Sequence, residues 1–291
     1  MASLKEVKAR IASVNSTKKI TGAMKMVSSA KLKKAQMAIE NILPYQNRLN
    51  SILESFLATE TDFKSDFSAV REVKKVAIVA FSSNSSLCGA FNSNVIKELN
   101  RVVKEESSKG VAITLYPIGK KVKDAVKKIE DVKKVDIDTD LADHPTFDTI
   151  SVITNELMDK FLTKEYDKVI LIYHHLKNTA VQKLQTETFL PIKLDTGKDA
   201  KDSVCGDFIV EPSKLEVLEA LLPKALRTKM YACLLDSNAS EHGARVVAMQ
   251  VASDNATQLI NELNILYNKT RQQAITNELL DIVGGASALQ N

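Results

Sequence analysis

The chain has 291 residues, of which 44% are hydrophobic and 26% charged, enough apolar material to build a sizeable core and too much to leave the chain disordered. It carries only 9 Gly, 6 Pro and no Trp, so aliphatic side chains do most of the packing. The formal charge of +4 is too small to imply nucleic acid by itself, and no apolar run approaches the length of about 20 residues that a membrane span needs.

The charge is unevenly placed. From Met1 to Leu57 there are ten basic residues against three acidic ones, giving +7 and leaving −3 for the remainder. Such a basic segment seeks an acidic partner. The cysteines Cys88, Cys205 and Cys233 form no CxxC pair and read as reduced thiols. The N-terminus has no apolar signal core, so the chain reads as soluble and unprocessed.

The first element is a long helix. Ser3 reads as its N-cap, with Glu6 completing a capping box. Leu4, Val7, Ile11 and Val14 step by three and four, and Leu32, Ala35, Ile39 and Ile42 resume the same register. Between them the register passes through Lys18, Thr21, Lys25 and Ser28, while Ile20, Ala23, Met24 and Val27 lie on a neighbouring stripe. Pro44 is expected to kink or briefly interrupt the helix, which continues to about Leu57.

The middle holds most of the Gly and Pro. Val76–Phe81 and Lys168–Tyr173 read as buried strands, Val111–Ile118 as a further strand and Val181–Leu190 as a half-exposed one. Helices are expected over Asn92–Lys104, Gly119–Ile129 and Thr146–Leu162. That order implies βαβ units and a mainly parallel sheet. Asp195–Asp207 reads as a polar loop.

The C-terminal stretch is helical again. Pro212 suits a first turn, and Glu216 and Glu219 suit its positive end. Ala252, Ala256, Leu259, Leu263 and Leu266 step by four and three, as do Ile275, Leu279, Ile282, Ala286 and Leu289 after a break; Gly284-Gly285 is the expected weak point. A helix from Pro212 to Val283 would be about 105 Å long, against about 50 Å for the diameter of a compact globule of this length. It must project, and the N-terminal helix supplies a partner. The fold class is therefore α/β with a long antiparallel two-helix coiled coil formed by the two termini. Residues 1–57 pair with 212–291, and residues 73–210 form a central Rossmann-like domain.

Candidate sites are few. The loop Ser82–Asn92 follows a strand and opens a helix, where phosphates bind in such folds. It lacks GxGxxG and GxxxxGK[ST], and it reads as a tight turn. Cys88 has no His nearby in sequence. His174 and His175 point to opposite faces of a strand and read as structural, as do His144 and His242. The basic helix leaves open a nucleic-acid (tRNA) binding protein as an alternative, with a small α/β enzyme using Cys88 a weaker one. Yet Met1–Leu53 holds only Tyr45 as a stacking aromatic.

Four stretches together carry a resemblance: Ile11–Lys31, with Thr21-Gly22-Ala23-Met24-Lys25-Met26-Val27-Ser28-Ser29-Ala30-Lys31 at its centre; Leu87-Cys88-Gly89-Ala90-Phe91-Asn92; Ser240–Met249; and Asn268–Leu289. They resemble the gamma subunit of F-type ATP synthase over the whole chain. The resemblance implies a central-stalk rotor inside a hexamer of alternating alpha and beta subunits, its α/β foot seated on the ring of c subunits beside epsilon. Ion flow, of protons or sodium, turns the ring and the stalk and drives the beta sites through ATP synthesis or hydrolysis. It implies no catalytic site and no cofactor on this chain, since nucleotide and Mg²⁺ bind on alpha and beta. It also implies no nucleic acid, no direct membrane insertion, and a peripheral place on the cytoplasmic face of the bacterial inner membrane. By motif match, Met24 and Lys25 face an acidic loop of beta. Arg271, Gln272 and Thr276 meet its catch loops, Arg245 belongs to the same contact system, and Glu278 is a further subunit contact. The chain departs from the family pattern at Asn84-Ser85-Ser86, where Asp-Arg-Gly is common, and at Lys25, where an acid is common; the paired-cysteine insert of chloroplast members is absent.

Overall fold

The structure, a computed structural model, describes residues 3–59, 65–192, 210–211 and 213–288. The chain divides into two compact units, one of Met1–Ser28 with Val246–Asn291 and the other of Ser29–Arg245. The polar stretch Asp195–Asp207, and Pro212 and Leu289, lie outside the described residues.

Two helices run through both units. Helix α1 spans Leu4–Thr59 and helix α6 spans Lys214–Ala288. Helix α1 opens on a reciprocal capping box and α6 on a serine cap. The Ser3 amide donates to Glu6 Oε2 at 3.0 Å while the Glu6 amide donates to Ser3 Oγ at 3.3 Å. At α6 the Glu216 amide donates to Ser213 Oγ at 3.3 Å and that hydroxyl donates to Glu216 Oε1 at 3.1 Å. The expected interruption at Pro44 does not occur, and α1 runs through it. The turns that follow are held from outside the helix, where Leu49, Leu53 and Phe56 pack with Leu218 and Leu222 of α6. This tertiary packing offsets the backbone bond that proline removes. Pro223 likewise sits inside α6.

The α/β unit carries a five-stranded sheet in the order β3-β2-β1-β4-β5. Strands β1 (Lys75–Phe81), β2 (Ala112–Ile118), β3 (Lys133–Lys134) and β4 (Lys168–Asn178) are parallel; β5 (Val181–Leu190) pairs antiparallel with β4. Central β1 is apolar from Val76 to Phe81 because both its faces are covered there. Ala77, Val79 and Phe81 meet Ile150, Leu157 and Phe161 of α5 (Phe147–Leu162) and Leu226, Met230 and Leu234 of α6. Val76, Ile78 and Ala80 meet Val95, Leu99 and Val102 of α2 (Phe91–Ser108) and Val122 and Val126 of α3 (Lys120–Val126).

Three short elements escaped the sequence reading: a 3₁₀ turn at Asp66–Ser68, β3, two lysines long, and α4 (Asp140–Asp143). None is long enough to show a periodicity. Strand β4 also outlasts Tyr173 because it forms a hairpin with β5. The side chain of Asn178 closes the turn, its Oδ1 accepting from the amides of Ala180 at 3.0 Å and Val181 at 2.8 Å.

Candidate functional site

The unit made of the two chain ends is a helix pair whose seam is unusually polar. Val7, Thr21 and Ser28 of α1 are buried, as are Met249, Ala256 and Leu263 of α6. Within each helix these positions are spaced by sevens, the repeat of a left-handed supercoil. Lys25 Nζ donates to Gln250 Oε1 across the seam, and the Thr21 hydroxyl returns to its own helix, donating to the Lys18 carbonyl at 3.0 Å. The neighbouring apolar stripe stays outside, with Ile20 60% and Val27 57% exposed. The pair thus buries Thr21 and Ser28 beside Val7, Met249, Ala256 and Leu263, and leaves large aliphatic side chains of α1 at the surface.

The seam of α6 departs from the expected series. Leu266 is exposed, and half-buried Tyr267, Thr270 and Ala274 continue the contact instead. Ile275, Leu279 and Ile282 are exposed as well. Pairing geometry explains this. With Lys25 opposite Gln250 and equal rise in both helices, stepping back from Lys25 to the first residue, Leu4, matches stepping forward from Gln250 to Arg271. Residues of α6 well beyond Arg271 therefore have no α1 residue opposite them, and their apolar side chains cannot be buried by this pair.

The residues singled out by motif fall into three settings. Met24 and Lys25 are half-buried at the seam; Arg271, Gln272, Thr276 and Glu278 are exposed on α6. Arg245 stands apart, buried in the α/β unit with its side chain only 8% exposed. Its Nη2 donates to Glu241 Oε1 at 2.6 Å and its Nη1 donates to the Ser86 carbonyl. Burial raises the Glu241 pKa above the usual carboxylate value, opposed by Arg245.

That arginine fastens one side of the strand-to-helix loop Ser82–Asn92. Asn84 fastens the other. Its Nδ2 donates to the Thr139 carbonyl at 2.7 Å and to Asp143 Oδ2 at 2.8 Å, and its Oδ1 accepts from the Lys120 amide at 2.9 Å. An aspartate here would turn both donor contacts into oxygen–oxygen repulsion, so the departure from the family turn is matched by what surrounds it. Inside the loop, Asn92 Oδ1 accepts from the Ser83 amide at 3.1 Å and Asn92 Nδ2 donates to Ser83 Oγ at 2.7 Å. Cys88 is buried beneath this network. The loop is a braced turn, with polar groups bonded to one another and to Lys120, Thr139, Asp143 and Arg245 around it. Asn84→Asp is expected to destabilise this unit by about 1–3 kcal/mol at pH 8 and by less at pH 4. Urea denaturation at the two values checks it, and equal stability to the parent at pH 8 would refute it.

The histidines do not converge. His174 is buried and stacks on Phe91 with ring centroids 4.4 Å apart, whereas His175 faces the other way and pairs with Asp236. Among the described residues no group of three or more His, Cys, Asp and Glu side chains could hold a metal ion, and no helix is long and apolar enough to cross a membrane.

Comparison with known proteins fits this architecture. A family model described as ATP synthase matches residues 3–289. The ATP synthase gamma chain of Phocaeicola vulgatus is 55% identical over 290 residues, covering 99% of this chain and 100% of the relative. That of Bacteroides fragilis is 54% identical over 291 residues, covering 99% and 100%. Among solved structures, a chain of the central stalk and c-ring of Tetrahymena thermophila mitochondrial ATP synthase aligns with a TM-score of 0.59 at 26% identity, over 80% of this chain and 99% of that one. A chain of the Euglena gracilis mitochondrial ATP synthase rotor shares the fold, with a TM-score of 0.61 at 20% identity over 94% and 98%. A family match over nearly the whole length, together with relatives more than half identical, leaves one assignment in place of the nucleic-acid alternative: the chain belongs to the ATP synthase gamma-chain family.

Proposed function

We propose that this chain is the central-stalk rotor of an F-type ATP synthase, a mechanical subunit with no catalytic site of its own. The observation that carries the reading is the pairing of the chain's two ends into one helical unit whose α6 outruns α1. The exposed apolar run Ile275, Leu279 and Ile282 needs a sleeve that the described residues do not supply. Three alpha and three beta subunits around the shaft provide it, and they also hold the nucleotide and Mg²⁺. The α/β unit is the foot, seated on the membrane c-ring beside epsilon. The complex, and with it this chain, lies peripherally on the cytoplasmic face of the bacterial inner membrane and couples ion flow to ATP synthesis or hydrolysis.

Arg271, Gln272, Thr276 and Glu278 make the changing contacts with beta, and Met24 and Lys25 face its acidic loop. Exposed charged pairs contribute only about 0–1 kcal/mol each, which suits contacts that must break and re-form at every step. Arg245 acts from inside the foot, through the loop it fastens.

Two measurements test the reading. The purified chain should hydrolyse no ATP and should assemble with alpha and beta subunits as one copy per hexamer; ATPase activity of the chain alone, or failure to assemble, counts against it. Removing residues 275–291 should shift the melting midpoint of the isolated chain by less than about 2 °C, because the side chains of residues 275–286 are exposed in the folded state and contribute little to its stability. The same truncation should lower ATP-driven pumping in the complex severalfold. Equal loss of fold and pumping would contradict this division of labour.

A further inference from the structure

Between Asp236 and Arg245, helix α6 turns a polar face toward its own unit. Ser237, Asn238, Ser240, Glu241 and His242 are all buried. Earlier turns of the same helix pack conventionally, through Leu218, Leu222, Leu226, Met230 and Leu234. A buried helix face is ordinarily apolar, and a buried polar group costs free energy unless it is hydrogen-bonded. Two of these side chains, together with half-buried Asp236, bond to main-chain groups of other elements. Asp236 Oδ1 accepts from the Leu176 amide at 2.8 Å, Ser240 Oγ donates to the His174 carbonyl at 3.2 Å, and Asn238 Nδ2 donates to the Ala142 carbonyl at 2.7 Å. Gly243 lets the backbones close in, since a Cβ there would meet Leu176 Cδ1 at 3.3 Å and the Thr179 carbonyl at 3.4 Å.

We infer that Asp236, Asn238 and Ser240 form a registry lock, fixing the rotation and axial position of α6 against β4 and α4. The argument is angular. At about 100° per residue, Ser240 lies about 40° around the helix from Asp236, while Asn238 lies about 200° away. Asp236 and Ser240 therefore grip β4 from one side and Asn238 grips α4 from nearly the opposite side. Rolling the helix in either sense stretches a bond on one flank. Apolar packing has no such directionality: a ridge in a groove tolerates a scatter of crossing angles, whereas a hydrogen bond weakens steeply once its geometry is off. A polar face is thus the better device where a helix must hold its angle as well as adhere. Its mechanical meaning rests on the rotor reading above. The lock lies inside the unit Ser29–Arg245, where it keeps α6 from turning against the sheet of the foot when torque is applied.

The test uses Asp236→Leu, Asn238→Leu and Ser240→Ala, singly and combined. Asp236→Asn retains the acceptor. Leu157→Ala, in α5 on the same face of the sheet, serves as an equally destabilising control that leaves the lock intact. In the full-length chain, spin labels on genetically encoded side chains at exposed Lys104 and Lys224 report the freedom of α6 as the width of a distance distribution. The combined variant should broaden it about twofold. Leu157→Ala should lower the melting midpoint at least as much with no broadening, and Asp236→Asn should match the parent. In the assembled complex, ions pumped per ATP hydrolysed should fall about twofold for the combined variant and not for the control. An unchanged width in the combined variant overturns the lock. Broadening with unchanged pumping per ATP overturns its mechanical role. Failure of the parent chain to assemble with alpha and beta overturns the rotor reading, while the width measurement still judges the lock.

Discussion

Arg245→Ala is expected to destabilise the α/β unit by about 3–5 kcal/mol at pH 8, the range for breaking a buried pair from one side. Two contacts go at once: the bond to Glu241 and the bond to the Ser86 carbonyl. The larger cost lies in what stays behind. The Glu241 side chain is 5% exposed, and without the arginine its carboxylate stays buried with only the weaker attraction of Lys31 to offset that burial. Burial is the main influence raising its pKa and Arg245 the main one opposing it, so the variant raises that pKa further. The sign follows from linkage. A carboxyl whose folded pKa lies above its unfolded value destabilises the fold as pH rises through the interval between the two, and the penalty is fully present above it. The deficit of Arg245→Ala relative to the parent is therefore greatest at pH 8 and shrinks toward pH 4.5. Loss of the arginine also removes a positive charge that disfavours protonation of His242, which narrows the gap at acid pH in the same direction. The double variant Glu241→Leu with Arg245→Leu should recover most of the loss, because apolar residues of similar volume replace a buried pair at little net cost. Urea denaturation of the isolated chain at pH 8 and pH 5 decides the matter. Were Arg245 only a contact residue for a partner subunit, the isolated chain would lose less than about 1 kcal/mol and show no pH dependence in that loss.

What the sequence disclosed, and what it hid, divides along physical lines. Patterns set by local periodicity were readable. The run Val76–Phe81 was apolar because both faces of β1 are covered, and Ser3 with Glu6 announced a helix start that the structure closes with two hydrogen bonds. The seam through Lys18, Thr21, Lys25 and Ser28 was visible as a register, and the structure keeps that register although a more apolar stripe lies beside it. Where the outcome depended on a partner distant in sequence, the pattern misled. Leu266 fits the series that ends at Leu263, but the interface moves to Tyr267. Pro44 signalled a break that packing of Leu49, Leu53 and Phe56 overrides. The candidate site divides in the same way. Exposure of Arg271, Gln272, Thr276 and Glu278 accords with a surface role, whereas burial of Arg245 depends on Ser86, far away in the chain. The three donors and acceptors at 236, 238 and 240 gave no signal at all, since nothing local distinguishes a helical Ser or Asn that faces solvent from one that faces a carbonyl.

The same buried polar region should make the α/β unit sensitive to acid well above the pH at which its carboxylates protonate. His174 and His242 are 2% and 6% exposed, and burial is the main cause holding each pKa down to about 4. The charged groups around His242 are Lys31 and Arg245, which lower its pKa further, and Asp143, which opposes them. Neither ring has a partner for Nδ1, so no acceptor waits to stabilise a second proton. For a histidine whose folded pKa lies below its unfolded value of about 6.5, the unfolded chain binds protons first as pH falls. Stability contributed by the neutral ring is therefore fully present above about 6.5 and is lost as pH falls from there to about 4, by up to about 3 kcal/mol for each ring. The melting midpoint should be flat from pH 8 to 7 and fall steeply between 6 and 4. His174→Phe tests the assignment. Phenylalanine keeps the stack on Phe91 and the backbone carbonyl that Ser240 uses, removes an unpartnered buried nitrogen, and cannot titrate. Its stability at pH 8 should stay within about 1 kcal/mol of the parent, and its loss between pH 6 and 4 should be roughly half as large. An acid limb identical to that of the parent would mean that His174 is not one of the groups that take up the protons.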